Sequence, residues 1–184
     1  MKKRIENPAI IGIIGHSGVG KTTLIGRLIP YFLKRGLRVA VIKHCGHRHE
    51  FDTPGKDSHR LRLAGAEAVI VSSPRMVAMF RDVEQEWPMR QMLRHLPRGL
   101  DLVIAEGFKN GAHPCLEVFR QEISPHLMRR GHRNLLGVVG DDPGNLPVPR
   151  FHQDAIVAIG QFIIENLVLA AMRIANRRPK HFCQ

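Results

Sequence analysis

The chain has 184 residues, enough for one domain or for one domain with a small appendage. Its 43% hydrophobic content supports a buried core and excludes a disordered chain. Lys and Arg together number 28 against 16 acids, and the resulting net charge of +12 favours an anionic partner: a nucleotide, a phosphorylated cofactor, nucleic acid or an acidic protein.

Residues 9–15 (AIIGIIG) form a short apolar run rich in β-branched side chains, as in a strand covered on both faces. Residues 21–35 place Leu24, Ile25, Leu28, Ile29, Phe32 and Leu33 at helical spacing, with Gly36 where a helix C-cap wants glycine. Pro30 lies inside that pattern and predicts a kink or an earlier end. Residues 37–43 (LRVAVIK) read as a second strand, followed by a polar loop over 44–57. Ser58 reads as the N-cap of a short helix to Ala64.

Residues 68–72 and 76–80 are short strands separated by Pro74, and 84–96 is a helix candidate ended by Pro97. Residues 100–105 (LDLVIA) are a further buried strand; 116–120, 135–140 and 148–151 follow as later strands. Asp154 is expected to cap a final long helix, which Gln161, Glu165, Asn166 and Arg173 make too polar for a membrane span. Alternating strands and helices with apolar strands imply an α/β fold, a three-layer sandwich with a mostly parallel sheet and helices on both faces. The chain reads as a single nucleotide-binding domain over 1–184, with a motif-bearing core at 9–140 and a C-terminal strand and helix at 148–176.

Cys45, Cys115 and Cys183 are odd in number and form no CxxC pair, so a disulfide framework or zinc ribbon is not expected. The basic start, Met1-Lys2-Lys3-Arg4, precedes an apolar run too short for a signal peptide, and a cytoplasmic setting is expected.

Directly after the first strand stands Gly15-His16-Ser17-Gly18-Val19-Gly20-Lys21-Thr22, a complete GxxxxGK[ST], and a helix follows. Glycines let such a loop turn its backbone N–H groups onto a phosphate, and the helix N-terminus adds its dipole. Lys21 is expected on the β- and γ-phosphates, and the Thr22 hydroxyl on Mg²⁺. Glu106 ends the strand of 100–105 at the edge where ligands of parallel sheets gather, so it is the second candidate for the metal. Asp101, at the start of the same strand, reads as a solvated residue.

With the phosphate loop in place, Lys43-His44, Asp52-Thr53-Pro54-Gly55-Lys56-Asp57-Ser58, Leu63-Ala64-Gly65-Ala66 and Glu106-Gly107-Phe108-Lys109 resemble the MobB family. These are molybdopterin-guanine dinucleotide biosynthesis adapter proteins, and the resemblance runs from about Ile10 to Gly140. It implies a GTP-binding protein, often dimeric, that assists MobA, the enzyme that attaches GMP to molybdopterin; with no arginine finger to assign, slow hydrolysis is expected. It also implies that Ser17, Gly18, Val19, Gly20, Lys21, Thr22 and Thr23 hold the phosphates, with Lys21 and Asp57 catalytic. Thr22, Asp57 and Glu106 would lie near Mg²⁺ or the attacking water, and Lys43, Lys56 and Lys109 near the triphosphate or the pterin phosphate. No NKxD motif is present; Asp141 or Asp142 could read guanine, and either could instead cap a turn before Pro143.

Two other features suggest rival chemistries. His44, Cys45, His47 and His49, with His59 and His113, have the side chains of a nickel or zinc site, but Arg48 stands among them and the spacing is irregular. Arg129, Arg130, His132 and Arg133 could serve a small-molecule kinase as a lid over the γ-phosphate, or meet an acidic partner. A second basic cluster, Arg173 to His181, suits a helix C-terminus. One Trp and one Tyr leave few stacking platforms, so single-stranded nucleic acid is not the expected ligand.

Overall fold

The computed structural model describes residues 7–47 and 49–172 and divides into two compact units, 1–44 with 96–184, and 45–95. Arg48, the cluster from Arg173 to His181 and Cys183 lie outside the described residues, as does the end of the expected final helix.

The larger unit is built on six strands in the order β2-β5-β1-β6-β7-β8, every neighbouring pair parallel. They are β1 (Ala9–Ile14), β2 (Val39–Lys43), β5 (Leu102–Glu106), β6 (Cys115–Phe119), β7 (Leu135–Gly140) and the two-residue β8 (Arg150–Phe151). The β-branched run of β1 sits at the centre because both of its faces are covered: Ile11 and Ile13 point to one side, Ile14 to the other. On the first side, α1 (Lys21–Leu33) and α4 (Ile156–Ile163) pack together through Leu28, Phe32, Ile159 and Ile163 over Ile104, Leu116 and Val139. On the second side, Ile14, Cys115, Phe119, Leu135 and Val138 are covered by Leu127, Leu146 and Val148 from the connections.

Helix α1 continues through Pro30 to Leu33, beyond the expected break. Pro30 is on the solvent side, while Tyr31 and Phe32 beyond it are buried, and that burial carries the helix past the missing N–H. The helix ends as expected at Gly36, φ +72°, where Leu37 N–H donates to Phe32 O at 3.2 Å.

The smaller unit holds α2 (Asp57–Leu63), the antiparallel hairpin β3 (Val69–Ser72) and β4 (Val77–Phe80), and α3 (Met89–Leu93). Three sequence expectations are corrected at helix ends. Only five residues of the 84–96 candidate are helical, because Pro88 disfavours helical backbone before it. Ser58 is not the cap of α2; Lys56 holds that position, and the Ser58 hydroxyl donates to Asp52 Oδ1 at 2.9 Å. Asp154 does not cap α4 either: Ala155 precedes the helix, and the Asp154 carboxylate pairs with Arg27 at 2.6 Å. Helix α4 also widens into a π turn over Ile164–Val168, which periodicity alone does not reveal.

Candidate functional site

Parallel register brings the candidate residues to one edge of the sheet. Val39–Lys43 pairs with Leu102–Glu106 in step, so Lys43 lies opposite Glu106; Ile13 lies opposite Glu106 on the other side, two residues before the glycine loop. The loop leaves β1 at Gly15, whose φ of +137° and distance to the next strand both require glycine: a Cβ there would meet Val118 O at 2.4 Å. Val19 anchors the loop in the core at 3% exposure, while Ser17, Gly18, Thr22 and Thr23 are exposed. This arrangement leaves the polar side of the loop accessible and its apolar side fixed.

Lys21 folds back along the loop and donates from Nζ to Gly15 O at 3.0 Å and His16 O at 2.6 Å. Burial lowers its pKa from the usual lysine value; Glu106 opposes that shift, and Lys109 and Lys43 add to it. Thr22 donates from Oγ1 to Glu106 Oε1 at 2.6 Å, and Lys43 Nζ stands 3.7 Å from the same oxygen. Glu106 is only 5% exposed, so the sheet edge presents a buried carboxylate and a hydroxyl in contact, with Lys43 beside the carboxylate and the charges of Lys43 and Lys109 both acting on Lys21. Two hard oxygen donors of this kind suit Mg²⁺, whose remaining positions are normally taken by water and phosphate. Among the described residues, no three His, Cys, Asp or Glu side chains gather into a cluster able to hold a metal ion.

After Glu106 the chain turns sharply at Gly107, φ +84°, where a Cβ would stand 2.9 Å from His44 O. The turn carries Lys109 and closes with Lys109 N–H to Gly107 O at 2.8 Å and Gly111 N–H to Phe108 O at 3.1 Å. Asp101 is not a free solvated acid: its Oδ2 accepts Arg38 N–H at 2.8 Å and ties β5 to the start of β2.

Asp141 lies just past the C-terminal end of β7, its Oδ2 accepting Gln121 N–H at 2.9 Å and its Oδ1 3.5 Å from Arg120. Asp142 caps the turn before Gly144, accepting that N–H at 2.9 Å, and also pairs with Arg150. Lys56 and Asp57 belong to the smaller unit, at the start of α2, where Asp57 is almost fully exposed and 4.0 Å from Arg60. Asp52, in the same unit, organises this segment: its Oδ1 accepts Thr53 N–H at 2.8 Å as well as the Ser58 hydroxyl. Arg129 does not project as a lid; its guanidinium donates to Lys109 O and Gly111 O.

Sequence reasoning passed over Glu117. It lies on β6 at 1% exposure, facing the same side as Cys115 and Phe119. A lone acid in the apolar run CLEVF was the available signal. Burial raises its pKa above the usual glutamate value, against the pull of the Met128 and Arg129 N–H groups.

A parallel sheet opening into a complete phosphate loop, with an acid at the end of the adjacent strand, defines a P-loop NTPase-like α/β fold. The family model described as molybdopterin guanine dinucleotide synthesis protein B matches residues 10–141, and the chain belongs to this family. A molybdopterin-guanine dinucleotide biosynthesis adapter protein of Haemophilus influenzae is 39% identical over 119 residues, covering 64% of this chain and 67% of that protein. The Escherichia coli protein of the same description is 32% identical over 167 residues, covering 85% of this chain and 91% of that protein. A crystal structure of molybdopterin-guanine biosynthesis protein B superposes with a TM-score of 0.67 at 33% identity, over 85% of this chain and 98% of the other. Bacillus subtilis MobB shares the fold at a TM-score of 0.68 and 24% identity, over 86% of this chain and 98% of the other.

Proposed function

We propose that this chain is an adapter in molybdopterin guanine dinucleotide biosynthesis, binding GTP with Mg²⁺ at the Gly15–Thr22 loop and assisting a MobA-type guanylyltransferase. The observation that carries the nucleotide reading is the Thr22–Glu106 hydrogen bond of 2.6 Å at the end of that loop, with Lys43 3.7 Å from the same carboxylate oxygen. In the proposed complex Lys21 would leave the Gly15 and His16 carbonyls for a triphosphate, and the Thr22 hydroxyl, with Glu106 beside it, would hold Mg²⁺. The lysines neutralise charge that develops on the γ-phosphate, and Asp57 orients the attacking water on the strength of its D-x-P-G-K-D-S motif. Hydrolysis is slow, because the cations assigned to the phosphates are lysines and no arginine finger is among them. Asp141 reads guanine in this proposal: a carboxylate can accept more hydrogen bonds than the single Gln121 N–H it now takes. Molybdopterin, which carries a phosphate, is the second anion for Lys43, Lys56 and Lys109.

The partners in this proposal include a second copy of the chain. In the smaller unit, Ile70 faces Met79 across the hairpin, Val77 lies on the same side, and all three are exposed. A two-stranded sheet with a bare apolar face gains stability when that face is covered. Fluorescent GTP and ATP analogues, titrated with Mg²⁺ into the wild type and Lys21→Ala, test the nucleotide reading. Preference for GTP, lost in Lys21→Ala, is the expected result; preference for ATP, or undiminished binding by the variant, overturns it.

A further inference from the structure

The connection from β6 to β7 is long, and two buried interactions pin it. Leu127 enters the core on the side facing Ile14 and Phe119. Immediately after it, Met128 N–H and Arg129 N–H donate to the two carboxylate oxygens of Glu117, at 2.6 and 3.0 Å. A carboxyl group held at 1% exposure is costly to keep in a sheet, and here both of its oxygens are spent on one dipeptide of a loop. The consequence is the direction of the Arg129 side chain. Its Nε donates to Lys109 O at 2.7 Å, Nη2 reaches both Lys109 O and Gly111 O, and Nη1 meets His132 Nε2 at 2.8 Å. The fork therefore closes on the backbone of the turn that follows Glu106. Gly107 N–H donates to Ile13 O at 3.1 Å, two residues before the phosphate loop, so the turn that carries Lys109 starts against the loop's origin, and the Lys109 charge adds to the lowering of the Lys21 pKa. The same connection passes the loop itself: a Cβ on Gly18 would meet Ile123 Cδ1 at 3.9 Å.

We infer that Glu117 and Arg129 are positioning residues that hold the Lys109 ammonium in place for the phosphates, acting through the backbone of the Gly107–Gly111 turn. The inference rests on the phosphate-site reading above, but not on the choice of base. Glu117 fixes the backbone of Arg129, Arg129 clamps the turn, and the turn aims Lys109. A lysine at this position without the clamp would spread its charge over many rotamers, and the ordering cost would fall on each binding event.

The test uses inorganic tripolyphosphate with Mg²⁺, titrated calorimetrically into the full chain, so that guanine recognition plays no part. Arg129→Ala is expected to weaken binding about tenfold, the scale of a lost charge-assisted hydrogen bond, and Glu117→Gln to weaken it in the same direction. Lys109→Ala should lose a similar factor, and adding Arg129→Ala to it should change affinity by less than about twofold. Arg129→Lys, which keeps the charge but not the fork, should behave like Arg129→Ala. Arg129→Ala binding tripolyphosphate as the wild type does, or its loss multiplying in full with that of Lys109→Ala, overturns the inference. A purely structural role gives the second pattern, with a lowered melting temperature in both backgrounds. Wild type that prefers ATP to GTP while retaining this coupling would refute the guanine reading alone. Wild type that binds tripolyphosphate no better than Lys21→Ala would refute the phosphate site, and this inference with it.

Discussion

Glu106 shows how a single side chain gains its meaning from its neighbours. It is buried, it accepts the Thr22 hydroxyl, and Lys43 stands near the same oxygen, so it is held in contact with the residue that would bind a metal ion. Glu106→Gln keeps the shape and an acceptor for Thr22 but removes the negative charge. The expected outcome is nucleotide binding that no longer tightens with added Mg²⁺, measured by titration across metal concentrations; unchanged Mg²⁺ dependence would remove Glu106 from the metal's surroundings. Cys115 illustrates the opposite case, a reactive group made inert. Burial pushes its thiol up to about 11, Arg129 acts against that and Glu117 adds to it, and its Sγ donates to Asn134 O at 3.4 Å. A thiol is the protonated, unreactive form below its pKa, so Cys115 should resist iodoacetamide at pH 8 in the folded protein and react once unfolded. Exposed Cys45 should react in both states, and peptide mapping by mass spectrometry distinguishes the two.

The pairing of α1 with α4 depends on a residue that has no side chain. A Cβ on Gly160 would lie 2.3 Å from Tyr31 Cε1 and 2.4 Å from Cδ1, inside a ring that is itself buried and packed edge-on to Phe32. Helix propensity favours alanine over glycine by about 1 kcal/mol, yet overpacking of a closed helix contact costs roughly 1–3 kcal/mol. Gly160→Ala should therefore destabilise the protein, and a lower melting temperature than wild type checks it. An equal or higher one would mean that the helices can separate cheaply. Glu117 and Arg129 belong to the same level of organisation, since together they convert one strand residue into the orientation of two connections.

For the molecule as a whole, the hairpin of the smaller unit and the parallel sheet of the larger one present opposite solutions. Every strand of β1 and β5 to β7 is covered, whereas Ile70, Val77 and Met79 form an apolar face left in solvent. If a second copy covers that face, Ile70→Asp with Val77→Asp should sediment as a monomer while the wild type sediments as a dimer. Wild type that sediments as a monomer at tens of micromolar would count against self-association. Among the described residues, no helix is long and apolar enough to cross a membrane.

The division between what could be read and what could not follows from range. The phosphate loop, the strand before it and Glu106 at the end of a second apolar strand are contiguous patterns, each set by local φ/ψ needs or by burial on both faces, so the amino-acid order was sufficient. Helix ends were read less well: Ser58 and Asp154 have capping side chains, but Asp52, six residues before Ser58, and Arg27, far from Asp154 in the chain, claim them first. Pro88 delays the start of a helix that periodicity alone would begin at Glu84. The sheet order β2-β5-β1-β6-β7-β8, which sets Lys43 beside Glu106, and the path from Glu117 through Arg129 to Lys109 join residues far apart in the chain. Such contacts have no local signature, because each one depends on strands and loops already placed by packing. The sequence by itself therefore determined the class of fold and the phosphate-loop motif, and only the tertiary structure decided which charged side chains stand beside that motif and what holds them there.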